Sequence, residues 1–176
     1  MASHRWTRLL RDAGRALAAV LGRARRRPPA GRPAPGRPER APSYPGDFTG
    51  IVRPVYSPHP DGAPDPGEIV WTWVPFEEDH TRGKDRPVLL VGHDGPWLLG
   101  LQLTSKNHDR DAAQEARFGR LWMDIGSGPW DARGRPSEVR VNRVVRVAPD
   151  AVRREGAVLD AATFRQVVDT MGRARR

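Results

Sequence analysis

Few side chains of this 176-residue chain have the types and spacing that protein chemistry usually needs. There is no cysteine, which excludes disulfides, thiolate zinc sites and cysteine nucleophiles. His80 directly follows the acids Glu77, Glu78 and Asp79 in a predicted loop, and a histidine can transfer protons near neutral pH. His108 stands in a polar run that has no second histidine at metal-ligand spacing. A lone loop histidine is more often simply solvated, so for both histidines a catalytic role and a solvated position stay open.

The positive charge of the chain is concentrated in an N-terminal arm. Residues 1–40 contain 11 arginines and two acids, which leaves 19 basic and 19 acidic side chains in the rest. From Arg5 to Arg27, apolar residues recur at three- and four-residue steps, which predicts a basic amphipathic helix. This arm could contact RNA, another polyanion or a membrane surface without specificity, cover an apolar groove of its own domain, or extend loosely.

Proline separates the arm from the domain. Twelve of the 18 prolines fall between Pro28 and Pro66, which predicts an extended linker and an irregular lead-in. We therefore divide the chain into the arm (1–27), the linker and lead-in (28–65), a barrel domain (66–172) and a basic tail (173–176). No apolar run approaches the roughly 20 residues that span a membrane, and no secretory signal is recognisable, so the expected location is the cytoplasm.

The domain is predicted to be mainly β with a C-terminal helix. Short runs of β-branched, aromatic and apolar residues indicate strands at 69–74, 86–91, 97–104, 120–125 and 139–147. Five short antiparallel strands without intervening helices favour a small barrel. The helix is expected to begin after the N-cap Asp160 and to stop at Gly172.

Two strands have informative alternation. In the third strand the leucines Leu99, Leu101 and Leu103 point to one side, and Gln102 and Thr104 point to the other. In the first strand, Trp71 and Trp73 share a face. Aromatic rings there could stack on bases, but we expect the two tryptophans to fill the barrel.

Several short segments resemble, in the same order, those of the MazF/PemK toxins of bacterial toxin-antitoxin systems. The resemblance covers roughly residues 66–171 and is carried by the segments 67–71, 84–91, 103–105, 137–139 and 156–160. It implies an SH3-like barrel, usually a homodimer, that cuts single-stranded RNA without a metal ion or other cofactor. It also implies a partner antitoxin that silences the toxin.

The resemblance also implies which residues act. The family has an arginine immediately before the proline of its second strand and a threonine or serine at the end of its third, and the matching residues are Arg86 and Thr104. In such cleavage the substrate's 2′-hydroxyl is the nucleophile and leaves a cyclic phosphate, so the protein must hold the phosphate and neutralise its growing charge. Four neighbours are further catalytic or RNA-binding candidates: His80, Lys84, Ser105 and Lys106.

The acidic loop opposes this function. Glu77, Glu78 and Asp79 are expected near the phosphate position, where like charge would weaken RNA binding. The alternative is therefore a catalytically silent barrel that binds a protein or RNA partner.

Overall fold

A computed structural model describes residues 43–59, 61–105, 115 and 117–175. The arm, with its predicted amphipathic helix, and residues 28–42 and 60 of the linker and lead-in lie outside these residues. Within them, the strands and helices are β1 (Glu68–Pro75), β2 (Gly83–Asp94), β3 (Trp97–Thr104), β4 (Trp122–Gly126), β5 (Ser137–Arg140), β6 (Val145–Val147), β7 (Arg154–Val158) and α1 (Ala161–Ala174), with a 3-10 turn at Pro149–Ala151. The mainly β architecture with a C-terminal helix is confirmed.

The strands form one antiparallel sheet in the order β4-β5-β3-β2-β1-β7, and β6 also pairs with β3. One edge of β3 carries two partners in succession, because Leu98–Gly100 pair with β6 and Leu103–Thr104 pair with β5. The sheet forms a half-barrel, in agreement with the predicted small-barrel fold.

The sheet is buried on both faces. The larger core contains Leu89 and Leu101, which pair across β2 and β3, and it is covered by Phe164, Val167 and Met171 of α1. The smaller core lies on the opposite face and contains aliphatic side chains of β1, β2, β3 and β6. Burial on both faces explains why β2 is a continuous apolar run in the sequence.

Three predictions about these elements differ from the structure. The predicted strand 139–147 is two strands, because β5 and β6 pair with different ends of β3. The additional strand β7 pairs with β1 and was not predicted, since its sequence has no apolar alternation. Asp160 is the N-cap as expected and accepts bonds from the backbone N–H groups of residues 162 and 163, but α1 continues through Gly172 to Ala174.

The prediction that Trp71 and Trp73 fill the barrel is wrong. Alternate residues of β1, including Val70 and Val74, face the smaller core instead. Trp71 is half-buried, and its indole N–H donates to the carbonyl of Trp130 at 3.1 Å. The Trp73 side chain is 38% exposed. By strand alternation both side chains are on the face of the larger core, but neither is among the residues that form it or pack against it.

The lead-in segment, residues 43–59, contains no helix or strand and packs against the barrel. The backbone N–H of Phe48 donates to the carbonyl of Val144 at 2.8 Å, and the Tyr56 hydroxyl donates to the carbonyl of Leu159 at 2.8 Å. Phe48 and Val52 also contact the larger core. Among the described residues, the structure contains no helix of the length and apolar character needed to cross a membrane.

Candidate active site

Strand pairing brings Arg86 and Thr104 together. Val88 of β2 pairs with Gln102 of β3, and continuing this antiparallel register by two residues places Arg86 opposite Thr104. Both residues line one cavity of about 320 Å³. The other lining residues come from the β1–β2 loop, β3, β4, β5 and nearby turns: Pro75, Phe76, Glu77, Glu78, Gln102, Glu115, Arg120, Trp122, Arg140 and Arg143.

Among the described arginines that line this cavity, Arg86 is the one without a carboxylate partner, since Arg120 lies 3.8 Å from Glu115 and the other two form closer pairs. The Arg86 side chain is half-buried and makes no hydrogen bond or ion pair with any residue that the structure describes. Burial and the nearby charge of Arg143 lower the pKa of its guanidinium. The group remains charged at neutral pH, because an arginine guanidinium is not deprotonated in proteins. A partly desolvated guanidinium with unoccupied donors is suited to binding an anion.

Two other arginines of the cavity have their charge neutralised. Arg140 forms a double contact with Glu77, with guanidinium nitrogens 2.9 and 3.1 Å from the carboxylate oxygens. Arg143 forms a second such contact with Asp47, at 2.7 and 3.2 Å. Both arginine side chains are about 5% exposed. A buried guanidinium held by a carboxylate has a defined position, so these two arginines shape the cavity around Arg86.

The negative charges of the acidic loop would repel an anionic ligand only in part, because some of them have partners within the protein. Glu77 is paired with Arg140, and the Asp79 carboxylate accepts bonds from the hydroxyl and the backbone N–H of Thr81. These bonds lower the pKa of Asp79. Glu78 lines the cavity and has no hydrogen bond or ion pair to another described residue. Asp79 keeps its charge but is not among the lining residues, so of the acids of this loop that line the cavity, Glu78 is the one that no described cation pairs.

A second cavity, of about 180 Å³, is also lined by Arg86 and Thr104, and we call these two residues, which the cavities share, the ridge. The apolar lining of the second cavity is Trp71, Pro87 and Leu103, and its polar lining is Asp85, Ser105, Asp131, Arg135 and Ser137. The Asp131 carboxylate accepts a bond from Arg135 Nε at 2.8 Å, which holds that guanidinium at the cavity.

The other predicted site residues are dispersed. Ser105 lines the second cavity, whereas Lys84 lies over the Phe76 ring, with its ammonium 5.9 Å from the ring centroid. His80 lies edge-on to the ring of Tyr44, with centroids 5.0 Å apart, and lines neither cavity. Lys106 and His108 are outside the described residues. Among the described residues, no three His, Cys, Asp or Glu side chains come together as metal ligands.

Several residues that line the larger cavity were not predicted from the sequence, among them Arg140, Arg143, Gln102 and Trp122. The two arginines carried no distinguishing signal, because all but two of the 30 basic residues of this chain are arginine. Gln102 was assigned the correct side of β3 by its alternation with the leucines.

Comparisons with known proteins find a matching family and similar solved structures. The sequence profile of the PemK-like, MazF-like toxins of type II toxin-antitoxin systems matches residues 65–173, which is more than half of the chain. Similar solved structures include the MazE-MazF complex of Deinococcus radiodurans, at 17% identity over 64% of this chain and 96% of that chain, with a TM-score of 0.44. They also include the Mycobacterium tuberculosis toxin MazF-mt6, at 15% identity over 61% and 94% of the two chains, with a TM-score of 0.40. No curated protein matches this chain in sequence.

Proposed function

Because this chain belongs to the PemK-like, MazF-like toxin family of type II toxin-antitoxin systems, whose members are endoribonucleases, we propose that it cleaves single-stranded RNA. The reaction needs no metal ion, and an antitoxin regulates the toxin, which acts in the cytoplasm as a homodimer. The observation that carries the proposal is the guanidinium of Arg86, which has no partner among the described residues and lies beside Thr104 in a cavity whose more deeply buried arginines are already paired.

The chemistry is an internal transfer of the phosphate ester. The 2′-hydroxyl oxygen of the substrate attacks phosphorus, a P–O2′ bond forms and the P–O5′ bond breaks. The products are a 2′,3′-cyclic phosphate and a 5′-hydroxyl end, and the proton lost by the 2′-oxygen is balanced by the proton gained by the 5′-oxygen. Negative charge grows on the phosphate oxygens during this step. Arg86 stabilises that charge with its planar donors, and Thr104 orients the phosphate through its hydroxyl.

The experiment that tests the proposal uses the purified full chain and a single-stranded RNA in excess chelator. We expect cleavage, with a cyclic phosphate on one product and a 5′-hydroxyl on the other. Cleavage that stops when the chelator is added would contradict a metal-independent reaction. Binding without cleavage would instead support the silent barrel, which the neutralisation of Arg140 by Glu77 favours because it leaves little net positive charge in the cavity.

The two cavities that share the ridge suit the two nucleotides that flank the scissile phosphate. With the phosphate on Arg86, one base enters the cavity that contains Trp71. The indole of Trp71 is fixed by its bond to the carbonyl of Trp130, so its ring is a preformed stacking surface. Stacking on an aromatic ring accepts every base, because every base has a π-face.

Trp71→Leu is expected to weaken the binding of a non-cleavable 2′-O-methyl RNA by about 5- to 100-fold, since it removes the stacking surface but keeps apolar bulk. Fluorescence anisotropy of a labelled oligonucleotide measures the affinity. The matched control is Trp73→Leu on the same strand, which lines neither cavity. Equal effects of the two variants would place the base elsewhere.

Glu78→Gln is expected to tighten binding of the same oligonucleotide by a few-fold at low salt. The substitution removes the carboxylate that lines the larger cavity without a described partner, and so removes a charge that repels the RNA backbone. The gain should shrink near physiological salt, where the screening length is about 8 Å. Asp150→Asn, at an exposed turn, is the control. An unchanged affinity would show that Glu78 does not face the RNA.

A further inference from the structure

Asp47 connects the lead-in segment to the candidate active site. It lies before residue 65, where the match to the family profile begins, and is 96 residues from Arg143 in the chain. Its Oδ2 is 2.7 Å from Arg143 Nε, and its Oδ1 is 3.2 Å from Arg143 Nη2. Arg143 lines the larger cavity. A residue outside the matched region therefore holds a residue of the site.

The remaining donors of Arg143 contact other residues of the same cavity. Nη2 donates to the carbonyl of Pro75 at 2.9 Å, and Nη1 donates to Oε1 of Gln102 at 3.3 Å. Pro75 ends β1, and Gln102 lies two residues before Thr104 on β3. The Arg143 guanidinium thus joins β1 and β3 beside the ridge. Of its three acceptors, Asp47 is the one with a charge.

Asp47 is ionised at neutral pH. Burial opposes ionisation, but the hydrogen bonds from Arg143 and from the Tyr44 hydroxyl outweigh burial and lower the pKa of Asp47. The charge of Arg143 also affects Arg86, whose pKa it lowers in addition to the effect of burial. Without Asp47, two uncompensated guanidiniums would therefore repel each other across the cavity.

We propose that Asp47 is a positioning residue of the active site, which by neutralising and orienting Arg143 holds Arg86 in place for the phosphate. The lead-in segment thereby belongs to the catalytic domain, because it contributes a residue that positions the active site. This inference rests on the proposed function, because it assigns Asp47 a role in the same reaction.

The structure offers a matched control for this role. Arg146 donates to the carbonyls of Gly46 and Asp47 at 2.8 and 3.1 Å, and its Nε pairs with Asp94 at 2.7 Å. The Asp94–Arg146 pair therefore anchors the same segment. Neither of its members lines the larger or the second cavity. Loss of this pair loosens the lead-in segment without removing the charge that neutralises Arg143.

The test compares Asp47→Asn with Asp94→Asn in the full chain. We expect Asp47→Asn to lower kcat for RNA cleavage by about 10- to 100-fold, because small displacements of positioning groups have effects of that size. Asp94→Asn should keep kcat within about twofold of the wild type. Thermal melts of both variants show how much stability each has lost. Equal kcat losses in the two variants, or none in Asp47→Asn, would overturn the proposal.

A second readout does not depend on cleavage. In NMR spectra of the RNA-free protein, the Nε–H resonance of Arg86 should move in Asp47→Asn and stay in place in Asp94→Asn. An unmoved Arg86 resonance in Asp47→Asn would overturn the inference even in an active enzyme. A wild type that neither binds nor cleaves RNA would refute the proposed function, whereas the resonance would still report whether Asp47 positions Arg86. If Asp47→Asn does not fold, Asp47→Glu, which keeps the charge but lengthens the side chain, is measured in the same way.

Discussion

Arg86→Ala is expected to lower the rate of RNA cleavage by about 100-fold or more, which is the effect of removing a donor that stabilises developing charge. The melting temperature should change little, because Arg86 has no hydrogen bond or ion pair to a described residue. The measurement is kcat/KM for a single-stranded RNA in excess chelator, together with a thermal melt.

Two further variants separate charge from geometry and from general effects of arginine loss. Arg86→Lys keeps the charge but loses the planar donor fork, so its rate should lie between those of the wild type and Arg86→Ala. Arg165→Ala removes an exposed arginine of α1 that donates to the carbonyl of Ala161 and lines neither cavity, and it should leave the rate unchanged. If Arg86→Ala cleaved RNA as fast as the wild type, the assignment of this site would be wrong.

Leu101→Ala is expected to destabilise the domain by about 2–5 kcal/mol. Leu101 is fully buried in β3, opposite Leu89 of β2, and it belongs to the larger core beneath α1. The substitution removes contacts on all sides of the side chain and leaves a cavity in a rigid sheet. Small domains have a total stability of about 5–15 kcal/mol, so the loss is a large fraction. Urea titration monitored by tryptophan fluorescence measures it.

The control is Leu121→Ala. The Leu121 side chain is 38% exposed, and its two described hydrogen bonds are made by its backbone, to Val141 and to the Asn142 side chain. This variant should lose less than about 1 kcal/mol. A loss as large as that of Leu101→Ala would mean that exposure does not distinguish the two leucines and that the assigned core is wrong.

Local patterns in the sequence were sufficient for much of the fold. The alternation of β3, the apolar run of β2 and the N-cap Asp160 all reflect short-range geometry, and each predicted its element. The patterns failed where pairing partners decide the outcome. β7 is a strand because β1 offers it an edge, and the run 139–147 divides because its two halves pair with different parts of β3.

The candidate site shows the same division. Arg86 and Thr104 were identified through short motifs that resemble the toxin family, and strand register alone brings them side by side. The acidic loop appeared in the sequence as three equivalent charges. The structure distinguishes them, because Glu77 pairs with an arginine of β5, Asp79 binds its own loop and Glu78 faces the cavity.

The sequence by itself determined the order of the main elements, the concentration of charge in the arm and the two residues of the ridge. Only the tertiary structure decided which of the described arginines are held by carboxylates, and that Arg86 is not. The physical reason is that pairing depends on contacts between residues far apart in the chain, such as Asp47 and Arg143, which are 96 residues apart. The 11 arginines of residues 1–40 and the 17 that follow are chemically identical, and among those that the structure describes only burial and partners distinguish Arg86.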